Sequence, residues 1–319
     1  MVRIGLICNA LGASYTIEAL RTQEALAGVA VPAANDGVRG VLGPALEEAG
    51  VPLAPIKRHN LEEELLAWVA SINPDALFVL TFPHLLPGNV LDAPPLGCYN
   101  FHPGLLPGYR GPDPTFWELK NREPEGALTI HRMTEAFDDG GIIATYPAPI
   151  RPDDTWGMHM ADLFDLAPDA ALDLAARLTE AYEPIAGAQQ EASEAGFFKM
   201  PSVSQRTIDW DACDAAGIAA LIRACNPMYD GALTIFRGAM VRILDAQVVK
   251  LPHSPRLKPG TVVMANADYL VLLCKDGRGL KLNVVATDEG FFGGSHFGER
   301  FAVKIGECFR ETVLLEEAV

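Results

Sequence analysis

The 319-residue sequence is short of basic residues: it has 25 Lys and Arg against 41 Asp and Glu, and its net charge is −16. The deficit lies almost wholly in residues 1–205, which hold 12 basic and 27 acidic side chains, whereas residues 206–319 hold 13 and 14. An acidic surface of this kind repels phosphate backbones at long range. The charge balance therefore counts against nucleic-acid binding as the main task of the first part of the chain.

Long apolar runs and paired cysteines are also lacking. No stretch reaches the roughly 18–20 continuous apolar residues of a membrane span, and the N-terminal MVRIGLICNALG is too short and too interrupted for a signal peptide. The six cysteines form no CxxC pair, which indicates free, mostly buried thiols and no structural zinc site. We therefore expect a cytoplasmic globular protein without a membrane partner.

Strand and helix patterns alternate in the first half of the chain. Apolar runs predict strands, and helical periodicity predicts the helices between them. The predicted strands span residues 2–8, 26–31, 76–82 and 97–102, and the helices span residues 15–26, 43–49 and a stretch capped by Asn60 and Glu63. This order predicts a Rossmann-like, doubly wound α/β sheet, which binds ligands beyond the C-terminal ends of its strands.

The second half of the chain changes character. Two further strands are predicted at residues 126–133 and 141–148, followed by a long helix at residues 156–182. Residues 184–205 lose periodicity and gain Gly, Ser, Gln and Pro, and short strand patterns with turn signals follow them. The pattern predicts a small OB-like β-barrel. The predicted organisation is a catalytic domain at 1–183, a linker at 184–205 and a barrel domain at 206–312.

The most informative segment is NFHPGLLPGYRG, which runs from Asn100 to Gly111. Asn100 and His102 alternate on a predicted strand, so both side chains point to the same side. A Pro- and Gly-rich turn follows at once and leaves the strand end open to a ligand. Further along, the loop FDDGG at residues 137–141 offers two carboxylates beside glycines.

These motifs resemble the folate-dependent formyltransferases, which include methionyl-tRNA formyltransferase, the amino-sugar N-formyltransferases and, more distantly, the glycinamide ribonucleotide enzyme. That family combines an Asn-x-His strand, an LLP turn with Arg-Gly, and an Asp-x-Gly loop further on; here His102 and Asp138 are 36 positions apart. FVLTFPHLLP resembles the family's folate-pocket segment, and RTIDWDACDAAGIAALIRACNPMYDG resembles the start of the C-terminal domain of methionyl-tRNA formyltransferase. The resemblance covers essentially the whole chain.

The resemblance implies the formyltransferase fold, 10-formyltetrahydrofolate as co-substrate, no metal, and catalysis by Asn100, His102 and Asp138. His102 would accept the proton of the attacking amine, the Asn100 amide would donate to the developing oxyanion, and Asp138 would orient the imidazole. Asp139 is expected to be a solvated loop residue. The implied cofactor-binding residues are Phe82, Pro83, His84, Leu85, Leu86, Phe101, Phe137 and Gly140.

Gly104 and Arg110 are candidate substrate-binding residues, although Arg110 and Gly111 fit a structural turn equally well. Gly104 replaces the Ser that the family commonly has before LLP, and Pro83 replaces the usual Gly of the folate segment. Both departures change details of the pocket and leave the three catalytic side chains in place.

The resemblance implies the reaction, whereas one departure from the family bears on the identity of the acceptor. Methionyl-tRNA formyltransferases carry a basic insertion after the second strand, where this chain reads VPAANDGVRGVLGP with Arg39 as its one basic residue. We therefore expect a small-molecule amine, such as an amino-sugar nucleotide or a specialised metabolite. Methionyl-tRNA remains an alternative acceptor that this departure and the acidic charge disfavour.

Three other functions are open on the sequence alone. A 10-formyltetrahydrofolate hydrolase would use water in place of the amine, although such enzymes usually carry a regulatory domain before the catalytic one. A metal-dependent hydrolase would use His84 and His131 with His102 and Asp138, but the chain has no compact ligand motif. A non-catalytic ligand-binding or nucleic-acid-binding module would have no need of the complete Asn, His and Asp set.

Overall fold

The computed structural model describes residues 1–252 and 256–310. The chain divides into two compact units. Unit 1 comprises Met1–Pro114, Glu125–Pro149 and Met160–Lys199, and unit 2 comprises Thr115–Pro124, Ile150–His159 and the chain from Met200 onward. Residues 311 and 312, with which the predicted barrel domain ends, lie outside the described residues.

Unit 1 is built around a seven-stranded sheet in the order β3-β2-β1-β4-β5-β6-β7. The strands are β1 (Ile4–Cys8), β2 (Leu26–Pro32), β3 (Leu53–Ile56), β4 (Ala76–Leu80), β5 (Cys98–His102), β6 (Glu125–Arg132) and β7 (Ile142–Pro149). The helices of unit 1 are α1 (Ala13–Thr22), α2 (Asp36–Glu48), α3 (Leu61–Ile72) and α4 (Gly88–Leu91), with α6 (Trp156–Ala181) from Met160 onward, whereas α5 (Pro114–Asn121) belongs to unit 2 from Thr115 onward.

The strand directions follow from the connections. Strands β1 to β5 pair in parallel, because a helix or a long crossover separates each from its neighbour, whereas β5–β6 and β6–β7 are antiparallel. The predicted Rossmann-like sheet is confirmed, with two antiparallel strands added at one edge. The C-terminal ends of β4 and β5 lie side by side in the middle of this sheet, where α/β proteins bind ligands.

The burial of the central strands explains why their sequences predicted them correctly. Every residue of β1 and β4 is buried, as expected for central strands with uniformly apolar sequences. Leu65, Trp68 and Ile72 of α3 pack on the same core as Leu77 of β4. The sequence pattern missed the short β3, whose run LAPI is bounded by prolines and charge and has no clear alternation.

The predicted capping box at the start of α3 is wrong. The Asn60 side chain makes no capping hydrogen bond. Instead the carboxylate of Glu64 accepts a hydrogen bond of 2.6 Å from the backbone N–H of Lys57. The preceding 3₁₀ turn, Arg58–Asn60, leads directly into the helix and gives Asn60 a backbone conformation unlike that of a capping residue.

Unit 2 contains an antiparallel sheet, which confirms the predicted domain of short strands. Its strands within the described residues are β8 (Ala232–Phe236), β9 (Ala239–Val249), β10 (Val262–Ala265), β11 (Leu270–Leu273), β12 (Gly279–Thr287) and β13 (Gly290–Gly293). Its helices after unit 1 are α7 (Val203–Arg206), α8 (Ala215–Ala224) and α9 (Gly294–Arg300). Strand β12 pairs with β11 through its first residues and with β13 through its last, opposite the edge that carries β9.

Two further expectations concern the thiols and the membrane. Within residues 1–252 and 256–310 no disulfide joins any of the six cysteines, and Cys8, Cys98, Cys225 and Cys274 are buried, as predicted. No helix within residues 1–252 and 256–310 combines the length and the apolar character needed to cross a bilayer.

Candidate active site

Strand β5 carries two of the predicted catalytic residues near the edge of the sheet at which the parallel strands end. Asn100 and His102 lie on one face of β5, and the intervening Phe101 faces the opposite way and packs on Phe78 at a ring distance of 5.3 Å. Phe101 is 1% exposed. The alternation that the sequence predicted therefore brings Asn100 and His102 together and buries Phe101 in the core, and the implied role of Phe101 in cofactor binding stays a prediction.

The third predicted residue, Asp138, reaches this edge from the loop between β6 and β7. Its backbone adopts a left-handed conformation with φ of 51°, which is uncommon for a residue other than glycine. A Cβ at the neighbouring Gly140 would lie 1.8 Å from the carbonyl oxygen of Arg132, so only glycine fits there. These two backbone features turn the Asp138 side chain inward, and that side chain is 11% exposed.

The Asp138 carboxylate is the centre of the cluster. Its Oδ2 accepts a hydrogen bond of 2.9 Å from the backbone N–H of Gly111. Its Oδ1 lies 3.6 Å from Nδ1 of His102, 3.4 Å from Nε2 of His131 and 3.4 Å from Nδ2 of Asn100. The structure thus brings Asn100, His102 and Asp138 together and adds His131 and Gly111 to them.

These neighbours keep the carboxylate ionised. Burial by itself raises the pKa of Asp138, but the imidazoles of His102 and His131 and the Gly111 N–H outweigh burial and lower that pKa to about 2. A carboxylate that stays negative in a nearly water-free position stabilises a positive charge that forms beside it. Asp138 is therefore suited to stabilise an imidazolium at His102.

His102 is held by both of its ring nitrogens. Its Nε2 lies 2.7 Å from the backbone carbonyl of Tyr109, which can only accept, so Nε2 carries the proton. In the neutral ring Nδ1 is then the basic nitrogen, and it faces Asp138. His102 is 3% exposed. The ring can take up one proton, at Nδ1, without moving.

The sequence raised His131 at this site only as a metal ligand in an alternative function, and it did not predict the contact of His131 with Asn100. Nδ1 of His131 lies 3.0 Å from the carbonyl of Arg132 and donates to it, and the other ring nitrogen, Nε2, faces both Asn100 and Asp138. That Nε2 lies 3.1 Å from Nδ2 of Asn100, whose amide it orients. His131 is the register partner of Asn100 across β5 and β6, and this pairing is the signal that the sequence alone lacks.

A pocket opens beside Asn100 and Asp138. Four of the predicted cofactor-binding residues line it: Phe82, His84, Leu85 and Phe137. The other lining residues are Val79, Asn100, His131, Met133, Thr134, Ala136 and Asp138. The pocket combines an apolar wall with convergent polar groups, which is typical of small-molecule sites.

The remaining predicted cofactor residues lie elsewhere. Leu86 is 1% exposed and belongs to the core of unit 1. Pro83 is exposed and is not among the residues that line the pocket. Gly140 is buried, and its carbonyl accepts a hydrogen bond of 2.8 Å from Nε2 of Gln190. The structure therefore gives Leu86 and Gly140 supporting positions behind the pocket.

The two candidate substrate-binding residues have partners within the protein. The carbonyl of Gly104 accepts a hydrogen bond of 2.8 Å from Thr129, and an added Cβ at Gly104 would lie 2.9 Å from Nε2 of His102. Both Nε and Nη2 of Arg110 donate to Oε1 of Gln190, at 2.9 and 2.7 Å. These contacts favour the structural interpretation of Arg110.

Asp139 differs from its neighbour Asp138. It is exposed, it accepts a hydrogen bond from the Thr134 hydroxyl, and it is not among the residues that line the pocket beside Asn100. His84, which the metal-site alternative required, contacts Phe82 edge-on at 5.3 Å. Within residues 1–252 and 256–310, no group of three or more His, Cys, Asp or Glu side chains is arranged to hold a metal ion.

Comparison with known proteins agrees with this geometry in both parts of the chain. The family described as formyl transferase matches residues 10–173, and its C-terminal domain matches residues 202–289. Methionyl-tRNA formyltransferase of Aromatoleum aromaticum is 33% identical over 212 residues, which are 66% of this chain and 65% of that protein. The chain thus spans slightly less than two thirds of that relative's length.

Solved structures share the fold at low sequence identity. HypX from Aquifex aeolicus, in complex with tetrahydrofolic acid, superposes with a TM-score of 0.65 at 16% identity, over 100% of this chain and 50% of that one. An N-formyltransferase from Helicobacter canadensis, in complex with folinic acid and dTDP-3-aminofucose, has a TM-score of 0.65 at 15% identity, over 88% of this chain and 99% of that one. Since the first family match alone covers more than half of the sequence, this protein belongs to the formyl transferase family.

Proposed function

We propose that this protein transfers a formyl group from 10-formyltetrahydrofolate to a primary amine of a small molecule. The observation that carries the proposal is the convergence of Asn100, His102 and Asp138 beside a pocket lined by Phe82, Leu85 and Phe137. Family membership supports the donor and the reaction. The whole-protein activity and the acceptor are both part of the proposal.

The pocket fits the donor by its chemistry. Its apolar side chains, Val79, Phe82, Leu85 and Met133, suit the faces of a flat heterocycle, and Thr134 can bond a polar edge. When bound, the donor supplies an activated formyl carbon on a nitrogen leaving group. Asn100 and Asp138 line the same pocket, so the formyl group and the catalytic side chains share one space.

The chain's own groups then assist two proton movements. As the amine nitrogen bonds to the formyl carbon, the Asn100 amide donates to the oxygen on which negative charge develops, an effect of roughly 3–4 kcal/mol for one such donor. His102 takes up the amine proton at Nδ1, and the Asp138 carboxylate, which stays ionised, stabilises the imidazolium that results. His102 returns this proton to the leaving nitrogen as the old carbon–nitrogen bond breaks.

The acceptor preference rests on charge. The segment after β2, where a basic insertion would grip tRNA, forms α2 with Arg39 as its one basic residue. The Arg39 guanidinium is already paired with Asp36, one turn earlier on the same helix. The surrounding acidic composition repels a polyphosphate chain. A compact amine with at most a few phosphates faces much less of this repulsion.

Methionyl-tRNA is the second candidate acceptor. The observation that favours it is that several relatives similar in sequence are named methionyl-tRNA formyltransferases. The match to a C-terminal domain at residues 202–289 is consistent with the same candidate. Sequence identities of about a third leave room for a change of acceptor on a retained reaction.

The acceptor is tested by supplying 10-formyltetrahydrofolate with three partners in parallel. These are dTDP-3-aminofucose as an amino-sugar nucleotide, methionylated initiator tRNA, and buffer without an amine. We expect formylation of the amino sugar with kcat/KM at least about tenfold above that for the tRNA, a difference of about 1.4 kcal/mol in transition-state binding. Formylated products are measured by mass spectrometry.

The other outcomes each decide against a part of the proposal. Efficient formylation of the tRNA contradicts the small-molecule acceptor and leaves the donor and reaction in place. Loss of the formyl group from the donor at the same rate with and without amine indicates a hydrolase. No consumption of the donor in any of the three reactions contradicts formyl transfer itself.

Adjacent carboxylates provide a matched test of the mechanism. Asp138→Asn removes the negative charge beside His102 while keeping an oxygen for the Gly111 N–H, and we expect kcat to fall by roughly 10²- to 10⁴-fold. Asp139→Asn is the same substitution at the next residue, which is exposed, and we expect kcat to stay within about twofold of the wild type. Equal losses in the two variants would contradict the assignment.

The depressed pKa of Asp138 also predicts a pH-dependent stability. The folded-state pKa of about 2 lies below the ordinary value of 3.8, so the unfolded chain takes up the proton first as the pH falls. The stabilisation, about 2 kcal/mol, is therefore fully present above pH ~5, and roughly half of it is lost by pH ~3. The free energy of unfolding is measured in urea at pH 6 and pH 3. Its decrease between the two pH values should be smaller for Asp138→Asn than for the wild type and Asp139→Asn. An equal decrease in all three proteins would contradict the lowered pKa of Asp138.

A further inference from the structure

Residues 186–198, which the sequence predicts as part of a linker, are hydrogen-bonded along unit 1. We call them the clamp segment. Ala188 exchanges two backbone hydrogen bonds of 2.8 Å with Ile142, at the start of β7. Further on, the backbone N–H of Arg110 donates to the carbonyl of Gly196 at 2.9 Å, and the backbone N–H of Phe198 donates to the carbonyl of Arg110 at 2.9 Å. The clamp segment therefore pairs with both loops that meet at Asp138.

Gln190 lies between these two attachments and is 8% exposed. Its Nε2 donates to the backbone carbonyls of Asp138 and Gly140, at 2.8 Å each. Its Oε1 accepts from Nε and Nη2 of Arg110. Both Nε2 hydrogens and the amide oxygen are thus used, and one side chain ties the Asp138 loop to the Arg110 turn.

The two loops that Gln190 joins supply the two constraints on the Asp138 carboxylate. One constraint is the left-handed backbone of Asp138, which costs of order 1 kcal/mol or more unless its surroundings hold it. The other is the hydrogen bond from the N–H of Gly111, the residue after Arg110. A Cβ at Gly111 would lie 2.0 Å from the carbonyl of Phe198, so the clamp segment also packs directly on this residue.

We propose that Gln190 is a positioning residue that sets the distance and orientation of the Asp138 carboxylate relative to His102. Gln190 is not among the residues that line the pocket beside Asn100, so it acts through Asp138 and not on substrate. For catalysis the proposal rests on the proposed function, in which Asp138 stabilises the His102 imidazolium. The geometric part can be measured without any substrate.

The substrate-free test is an NMR titration of the protein with ¹⁵N-labelled histidine. A carboxylate beside an imidazole favours the charged ring, and the titratable groups beside Asp138 are His102 and His131. In Gln190→Met, which keeps the length of the side chain and removes its hydrogen bonds, we expect the pKa of His102 to fall by at least about half a unit. The exposed neighbour gives the control Gln189→Met, in which the pKa of His102 should match the wild type.

The catalytic test uses the acceptor that the panel identifies. We expect Gln190→Met to lower kcat by roughly 10- to 100-fold, because the substitution disturbs the geometry of Asp138 and His102. The KM for 10-formyltetrahydrofolate should stay within about twofold of the wild-type value, because the pocket is unchanged. Gln189→Met should leave both constants unchanged. A general loss of structure would raise KM and lower the thermal midpoint together, which separates it from a positioning effect.

Two results overturn the proposal. One is a His102 pKa in Gln190→Met that equals the wild-type value or changes equally in Gln189→Met. The other is a raised KM with an unchanged kcat. If Gln190→Met fails to fold, Gln190→Asn takes its place with the same expected directions, since its amide is one methylene too short to span both loops. Absence of formyl transfer in the wild type would contradict the proposed function, and the titration would still decide the positioning role.

Discussion

The site depends on one constraint, the need to hold a nearly buried negative charge at Asp138. An isolated carboxylate in such a position would be costly, and it persists because the Gly111 N–H and the imidazoles of His102 and His131 surround it. These neighbours lower its pKa to about 2, so the charge is present at every physiological pH. The same charge makes a protonated His102 favourable, and this is the property that formyl transfer to an amine requires.

Much of the local sequence can be understood as support for that charge. Gly111 and Gly140 allow backbone carbonyls to approach within distances that any side chain would block. The Tyr109 carbonyl fixes the tautomer of His102, and His131 fixes the amide of Asn100 in a corresponding way. The side chains proposed to be catalytic are therefore oriented by backbone carbonyls and neighbouring rings before any substrate arrives, which is the usual physical basis of preorganised catalysis.

The sequence predicted the parts of this arrangement that are local. Uniformly apolar strands such as β4, and the alternation of Asn100 and His102 on β5, follow directly from period and composition. It raised His131 only as a metal ligand and could not predict its contact with Asn100, because strand register joins residues 31 positions apart; nor could it predict the role of Gln190, because residues 184–205 lack any periodicity. The resemblance also implied Phe101 and Leu86 as cofactor-binding residues, and both side chains are buried in the core.

The central claim is that His102 and Asp138 act as one unit in formyl transfer. A double-mutant cycle tests it directly, with kcat measured for the wild type, His102→Gln, Asp138→Asn and the double variant on the same donor and acceptor. We expect the loss of kcat in the double variant to be no more than about the larger of the two single losses, because either substitution already disables the pair. Losses that multiply, as for two independent residues, would contradict it.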